Sequence, residues 1–574
     1  MHMANRILIN GKIWTENKAA PWAEAVVIED KKFGFVGKND EAEKYAASKG
    51  LSCEVIDLGG KTVLPGLIDG HSHIGTMAKA TWVVFGEKTP DKDELFANVK
   101  KYAELYPKEK KPYFVYDGYM NLTFGDKGPH KRDLDAIISD RPARMNDDSG
   151  HGCLYNSMAI EMLKNEEGIP YSVSPIPGQS FDKDENGEYT GWAHQTFQVG
   201  DVGIFQALGW VPPQVLNDEI AEPAHDSLRC FGVVSYMDAV TETEEDMQYL
   251  SQLDKEDRLN LYYEATSFLS TVDEIDAAIA KAKDWQAKYD SDHIHTRTIK
   301  FFGDGSNEFG DVLSLRPFSN DPEGKNFGHC NFTVEEMKTV MLKINAAGLD
   351  LHVHCCCDGT FRRFVDAYEA AKKECKDAWV MHFTMAHIEL YDPEDMRRAI
   401  KLGIYFNTTP HWNGRGGYDA IPFIGKDRFE NQFNYRIAMD ENAQMDFSSD
   451  NMNPRGFVRQ SPYLGMQLGI TRVDPMWPLD PAEYPGSFHP PKEACLTLEQ
   501  MIHGYTIACA KRMRLDDKIG SIEAGKMACL VVLDKDIFSI PHEEIAEIAP
   551  VCHYFDGKEL HSSNPLKDGR IIPC

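Results

Sequence analysis

The two ends of the chain share a pattern of short apolar stretches separated by tight turns. Within residues 1–65 the pattern appears in RILINGKIW, AEAVVIEDKKFGFVG and CEVIDLGGKTVLPG, where Asn-Gly and Gly-Gly pairs suit hairpins. It returns within residues 486–574, in GSIEAGKMACLVVLDK and VCHYFDGKEL. Because chain ends often lie close together, we expect the two regions to form one composite β-sandwich domain.

Between these ends, residues 66–485 alternate strand-like apolar runs with amphipathic helices. The runs include LRCFGVVSYMDAV, TRTIKFFGDG, GLDLHVHC and LGIYFNTT, and the helices include VEEMKTVMLKINAAG and DPEDMRRAIKLG. This alternation predicts a parallel sheet, and its length favours a (β/α)8 catalytic barrel. An open doubly wound sheet is the alternative, although no Gly-rich nucleotide-binding loop accompanies the strands. Residues 76–220 are rich in Gly, Pro and Asp, and we interpret them as an insertion next to the active site.

Charge and cysteine content narrow the classes of partner. The chain has 61 basic and 90 acidic residues, and its formal net charge of −29 disfavours nucleic acid and anionic membranes. Its 13 cysteines lack the regular spacing of a disulfide framework, and its apolar runs are shorter than a membrane span. We therefore expect a cytoplasmic enzyme that binds a small molecule, with neither nucleic acid nor a membrane as partner. A homodimer is expected only because symmetric dimers are common among large soluble enzymes.

Histidines with the spacing of metal ligands follow the first strand of the predicted barrel. PGLIDGHSH places His71 and His73 two residues apart, so that on a strand both imidazoles point to the same side. This spacing suits two ligands of one divalent ion. An isolated pair of this kind also arises by chance, so the pair alone does not establish a metal site.

Four further candidate ligands each lie at the end of a predicted strand. They are Lys300, His354, His387 and Asp450. In a barrel, the C-terminal ends of the strands meet at one mouth, which is where barrel enzymes place their catalytic groups. Any single histidine could be an ordinary core residue, but six such groups at one mouth favour a metal centre.

Longer motifs resemble a known family. VIDLGGKTVLPGLIDGHSH and GSIEAGKMACLVVLDKD resemble the two motifs that bracket the barrel in the amidohydrolase superfamily. RDLDAIISDRPARMNDDSGHGCLYNSMAIE, TIKFFGDGS and AHIELYDPEDMRRAIKLGI resemble the N-substituted formamide deformylase-like branch, called amidohydrolase family 3. The resemblance spans nearly the whole chain.

The resemblance implies a site for two metal ions. His71 and His73 would bind the first ion with Asp450, and His354 and His387 would bind the second. Lys300, converted to a carbamate by carbon dioxide, would bridge both ions. Zinc is the first expectation, with manganese, cobalt and iron as alternatives. If Lys300 stays an ammonium group, a mononuclear site remains.

The resemblance also implies a reaction. We expect a hydroxide shared by the two metal ions to hydrolyse a C–N bond in a non-peptide amide, formamide or N-acyl compound, with Asp450 as the acid/base group. His151 is the candidate donor to the developing oxyanion. Ester or C–C hydrolysis and isomerisation stay open as alternatives, as does a non-catalytic regulatory or metal-binding role.

Substrate contacts are assigned to aromatic residues and one arginine. They are Trp82, Trp192, Trp412 and Arg415. The aromatic rings suit an apolar or ring-bearing group, and the arginine suits a carboxylate. Departures from relatives are the thiols Cys355, Cys356 and Cys357, which stand where an Ala-Ile-Gly run is usual. Buried cysteines commonly pack as small apolar groups, so the metal ligands remain while specificity is expected to differ.

Overall fold

The architecture is that of a computed structural model, which describes residues 5–561 apart from 87–88, 90, 121–122, 125–127, 148–151, 166–167, 169, 171–179, 195–200, 213, 415–417 and 453–457. Its centre is a parallel sheet of eight strands that follow one another in chain order. They are β1 (Leu67–Ser72), β2 (Val233–Asp238), β3 (Tyr262–Leu269), β4 (Ile294–Phe302), β5 (Asp350–Cys355), β6 (Phe383–His387), β7 (Tyr405–Thr408) and β8 (Gln444–Phe447). The predicted (β/α)8 barrel is confirmed.

The sheet curves until its first and last strands meet. The backbone N–H of Asp450, just after β8, donates to the carbonyl of His71 on β1 at 2.9 Å. Ser449 also reaches across this seam, donating to Asp69 from its N–H at 3.0 Å and its hydroxyl at 2.6 Å. The barrel is therefore almost closed, and its seam runs through candidate ligands.

Helices cover the outside of the barrel. They are Ile74–Lys79, Asp218–Arg229, Glu244–Lys255, Ile275–Tyr289, Val334–Ala346, Asp358–Cys375, Pro393–Leu402, Arg436–Asp440 and Pro462–Thr471. Local sequence sets several of their ends. Thr243 and Thr333 form capping boxes, and Gly348 and Gly403 follow helices with φ of 64° and 78°. One large apolar core fills the space between strands and helices.

Strands from both chain ends form a β-sandwich, as predicted. One mixed sheet has six strands in the order Lys558–His561, Pro550–Phe555, Leu530–Leu533, Thr62–Pro65, Lys12–Trp14 and Trp22–Ala23. The other has four, in the order Lys32–Gly37, Ala25–Glu29, Asn5–Ile9 and Cys53–Asp57, with the helix Asn39–Ser48 against it. Leu8 and Val26 of one sheet share a core with Val63 and Leu530 of the other.

The helical segment that precedes the last strands belongs with the barrel. It comprises Leu498–His503, Gly504–Ala508 and Cys509–Arg512, within the region that the sequence assigns to the sandwich. Arg512 donates to Asp446 on β8 at 2.6 Å and to the carbonyl of Gly70 on β1 at 2.5 Å. Both contacts brace the barrel seam from below the candidate site.

The segment between β1 and β2 contains a sheet of its own. Its six strands, in spatial order, are Ser180–Lys183, Tyr189–His194, Gly152–Tyr155, Ala143–Asp147, Phe114–Tyr119 and Val84–Phe85. Its helices are Lys92–Leu105, Lys131–Asp135, Ser157–Leu163 and Val202–Leu208. The sequence predicted an insertion here but not its sheet. Among the described helices of the whole chain, none has the length and apolar character needed to cross a bilayer.

Candidate metal centre

Asp450 lies at the centre of the candidate site. One carboxylate oxygen, Oδ1, is 3.5 Å from Nε2 of His71 and 3.2 Å from Nε2 of His73. The other, Oδ2, is 3.6 Å from Nδ1 of His387. The structure thus brings together the candidate ligands His71 and His73 from the end of β1, His387 from β6 and Asp450 from just after β8. Ligand atoms of His71, His387 and Asp450 all lie within 4.8 Å of one another, close enough to share an ion.

Two residues of this cluster have left-handed backbone. φ is 71° at His387 and 48° at Asp450, which is unusual for residues with a side chain. Each such residue costs about 1–3 kcal/mol, and backbone strain of this kind concentrates at functional sites. The seam contacts between Ser449 and Asp69 hold the Asp450 loop in place. Burial raises the pKa of Asp69 to about 7.

Lys300 is fully buried inside the barrel next to these ligands. It lies on β4, and its Nζ is 3.2 Å from Nε2 of His71. Burial lowers the pKa of Lys300 to about 7, although the negative charge of Asp450 opposes that shift. A substantial share of the amine is therefore neutral near pH 7, which is the form that reacts with carbon dioxide.

His354 lies at the end of β5 and packs against His387, with ring centroids 4.4 Å apart. Its Nε2 is 2.8 Å from the carbonyl oxygen of Gly305 in the loop after β4. Because a carbonyl oxygen can only accept, Nε2 carries the hydrogen and Nδ1 keeps its lone pair. That lone pair is what a metal ligand needs, and such a bond to the second nitrogen is typical of metal-binding histidines.

The three cysteines after His354 are buried and contact different surroundings. Cys355 packs in the core between strands and helices, and Cys357 packs in a smaller cluster beside the loops. The sulfur of Cys356 is 3.3 Å from Nε2 of His354. Asp304 accepts from the N–H of Cys356 at 3.0 Å and from that of Cys357 at 3.2 Å, and these contacts fix the turn. Burial raises the pKa of all three thiols, so they are protonated in the metal-free chain.

Sequence reasoning missed His352. It lies on β5 two residues before His354, is 1% exposed, and its Nε2 is 2.9 Å from Nδ1 of His71. The signal was present in LDLHVHC, because residues two apart on a strand face the same side. The rule that catalytic groups of a barrel lie at the strand ends points to His354 and not to His352, which lies two residues earlier on the same face.

The predicted substrate residues have different positions. Trp412 stacks on His387 with ring centroids 5.2 Å apart and planes at 19°, so it lies beside a candidate ligand. Trp192 contacts Phe309 in the loop after β4, which links the inserted sheet to the barrel mouth. Trp82 instead packs against Tyr113, Phe205 and Trp210 within the inserted unit. The predicted roles of His151 and Arg415 lie outside the described residues.

The donor set fits divalent transition metals. Burial, followed by the neighbouring Lys300, lowers the pKa of His71 well below its usual value, so its imidazole is neutral, as a ligand must be. Imidazole nitrogens and a carboxylate are the ligands that zinc, manganese, cobalt and iron share. His71, His387 and Asp450 lie close enough to hold one ion, and Lys300 lies beside His71.

Comparisons with known proteins identify the family. A model of the amidohydrolase family matches residues 54–561. The chain is 26% identical over 441 residues to exoenzymes regulatory protein AepA of Pectobacterium carotovorum subsp. carotovorum, covering 75% of this chain and 90% of the relative. It is 23% identical over 571 residues to N-substituted formamide deformylase of Arthrobacter pascens, covering 97% and 98%.

A solved structure shares the fold. An uncharacterized metal-dependent hydrolase from Pyrococcus horikoshii superposes with a TM-score of 0.69 at 21% identity, covering 94% of this chain and 99% of that one. The family match extends from the sandwich strands through the barrel and back to the sandwich. With that match and with imidazole and carboxylate ligands gathered at the mouth of its barrel, the chain belongs to the amidohydrolase family of metal-dependent hydrolases.

Proposed function

We propose that this hydrolase cleaves the C–N bond of a small non-peptide amide, formamide or N-acyl compound at a site for two divalent ions, zinc being the first expectation. The observation that carries the proposal is the convergence of His71, His73 and His387 on Asp450, beside a buried and partly neutral lysine. Two bound ions would supply Lewis acidity, which lowers the pKa of a water molecule and polarises a carbonyl group.

Lys300 supports the second ion through carbamate formation. The neutral amine nitrogen forms an N–C bond as one C=O π bond of carbon dioxide opens, and one N–H proton is released to solvent. The product is a carbamate whose single negative charge is shared by two oxygens. The neutral form is available because burial lowers the pKa of this side chain to about 7. Nζ of Lys300 lies 3.2 Å from Nε2 of His71, so a carbamate formed there would lie beside the candidate ligands.

Asp450 is placed to move the proton. Its Oδ1 faces His71 and His73 and its Oδ2 faces His387, so the carboxylate stands between both groups of ligands. There it can accept a proton from the attacking water and deliver it to the leaving nitrogen. Trp412 stacks on one face of His387 and offers an apolar surface beside the candidate ligands, which suits an aromatic acyl or amine group.

Two observations support a C–N bond over the ester and C–C alternatives. The N-substituted formamide deformylase of Arthrobacter pascens aligns over 97% of this chain, and its name describes removal of a formyl group from nitrogen. A carboxylate between the ligands also suits a leaving nitrogen, which needs a proton before it departs.

A regulatory role without catalysis is the second candidate, because one relative is named as a regulatory protein. An enzyme is favoured, because the chain has all six of the predicted metal ligands. They are His71, His73, Lys300, His354, His387 and Asp450.

The first test is the metal content per chain, measured by plasma mass spectrometry after growth in zinc-supplemented medium and purification without chelators. Two equivalents of metal, followed by amine release from a panel of aromatic N-formyl and N-acyl compounds, would support the proposal. If the chain binds metal but releases alcohol from matched esters and no amine, esters rather than C–N compounds are the substrate class. Absence of bound metal would favour the regulatory candidate.

A further inference from the structure

The inner face of β5 carries a histidine that the metal site does not use directly. His352 is 1% exposed and stands one pleat before His354, so its ring lies deeper in the barrel than the ligands. Its Nε2 is 2.9 Å from Nδ1 of His71, and the ring centroids are 4.9 Å apart at 68°. The two nitrogens therefore share one hydrogen.

The surroundings of His71 decide which ring donates that hydrogen. The opposite nitrogen of His71, Nε2, faces Nζ of Lys300 at 3.2 Å and Oδ1 of Asp450 at 3.5 Å. An ion held there needs a lone pair on Nε2, so the hydrogen of His71 must be on Nδ1. Nδ1–H then donates, and Nε2 of His352 accepts.

The second ring nitrogen of His352, Nδ1, is consistent with this direction of the hydrogen bond. If its Nε2 accepts, its own hydrogen is on Nδ1, and that atom has no hydrogen-bond partner among the described residues. Burying an N–H without a partner is unfavourable, so a purely structural residue here would be better as an apolar ring. The unpaired Nδ1 is therefore explained if His352 is retained for the contact that its Nε2 makes with His71.

We propose that His352 is a positioning residue that accepts the Nδ1 hydrogen of His71 and so fixes that ligand in the orientation and tautomer that bind metal. The inference rests on the proposed function. A carboxylate or carbonyl oxygen commonly fills this place behind a metal-binding histidine, and here an imidazole does so. Loss of such an acceptor typically lowers metal affinity by about 10- to 100-fold.

Three variants separate this role from packing. His352→Phe keeps the ring volume but removes the acceptor, whereas His352→Gln keeps an acceptor near the place of Nε2. His225→Phe is the matched control, because His225 is also 1% exposed and also has a ring nitrogen without a partner among the described residues, but lies on an outer helix against Tyr236. Circular dichroism and thermal midpoints show whether each variant folds.

The measurement is zinc affinity by competition with a chromophoric chelator, together with the number of ions retained. We expect His352→Phe to weaken the ion held by His71 about 10- to 100-fold, with retention falling from two ions toward one. We expect the zinc affinities of His352→Gln and His225→Phe to stay within about threefold of that of the unmodified chain, well below that 10- to 100-fold loss. Equal zinc affinities for His352→Phe and the unmodified chain would overturn the role of His352 but not the proposed function. An unmodified chain that binds no zinc would overturn the proposed function instead.

Discussion

A histidine at the junction of barrel and sandwich makes stability depend on pH. His293, just before β4, lies with Nδ1 2.6 Å from Asp254 on the helix Glu244–Lys255 and with Nε2 3.0 Å from Asp556 beside the sandwich strand Pro550–Phe555. Burial alone would lower the pKa of His293. The hydrogen bonds to the two carboxylates outweigh burial and raise that pKa from 6.5 to about 9.

The size and direction of the effect follow from this pKa. The interval from 6.5 to about 9 corresponds to about 3 kcal/mol, at about 1.4 kcal/mol for each pH unit. Screening at a ring that is 15% exposed reduces the expected value to about 2 kcal/mol. Because the pKa is raised in the folded chain, the stabilisation is fully present below pH 6.5 and disappears as pH rises through about 9.

The assay is the free energy of unfolding, from denaturant titration, of the unmodified chain and of His293→Gln between pH 6 and 10. The difference between the two should shrink by about 2 kcal/mol over that range, since other titrating groups are common to both. His295→Gln is the control, because burial lowers the pKa of His295 to about 3 and the ring is neutral throughout. Parallel curves for the unmodified chain and His293→Gln would refute the reasoning.

Four further predictions concern the site and its support. Lys300→Ala should lower kcat/KM at least about 100-fold and reduce bound metal from two ions toward one, with partial recovery in added propionate, as metal analysis and kinetics would show. Asp450→Asn should lower kcat by about 10²- to 10⁴-fold, measured by amine release at saturating substrate. Trp412→Ala should raise KM for aromatic substrates about tenfold, whereas Trp82→Phe, outside the metal site, should leave kinetics unchanged. Arg512→Met should destabilise the chain by about 3–5 kcal/mol in chemical unfolding, because Asp446 would keep a buried charge without its partner.

Local sequence determined the elements and most of the candidate ligands. Apolar runs that alternate with amphipathic helices identify barrel strands, because a strand of a parallel barrel is buried on both faces whereas a covering helix is buried on one. The HxH motif and the residues at strand ends identify candidate ligands, since parallel strands in a barrel end at one mouth. His71, His73, His387 and Asp450 could therefore be found without coordinates.

The inserted unit shows where local patterns stop being informative. Its turn-rich segments conceal short strands, such as Val84–Phe85 and Gly152–Tyr155, whose pairing depends on partners far along the chain. Trp82 follows the HxH motif closely in sequence, which suggests a substrate contact. In the structure it packs against Tyr113 and Phe205 instead. Nothing in one stretch of sequence states which aromatic ring reaches the barrel mouth.

The sequence by itself determined the barrel, the sandwich built from both ends and the candidate ligands, because these depend on apolar patterns and motifs within short stretches. Only the tertiary structure decided the contacts between them. The bond between His71 and His352 joins residues 281 positions apart, and the one between Arg512 and Asp446 joins residues 66 apart. The lowered pKa of Lys300 also depends on the tertiary structure, since it results from the burial of the amine by the surrounding strands.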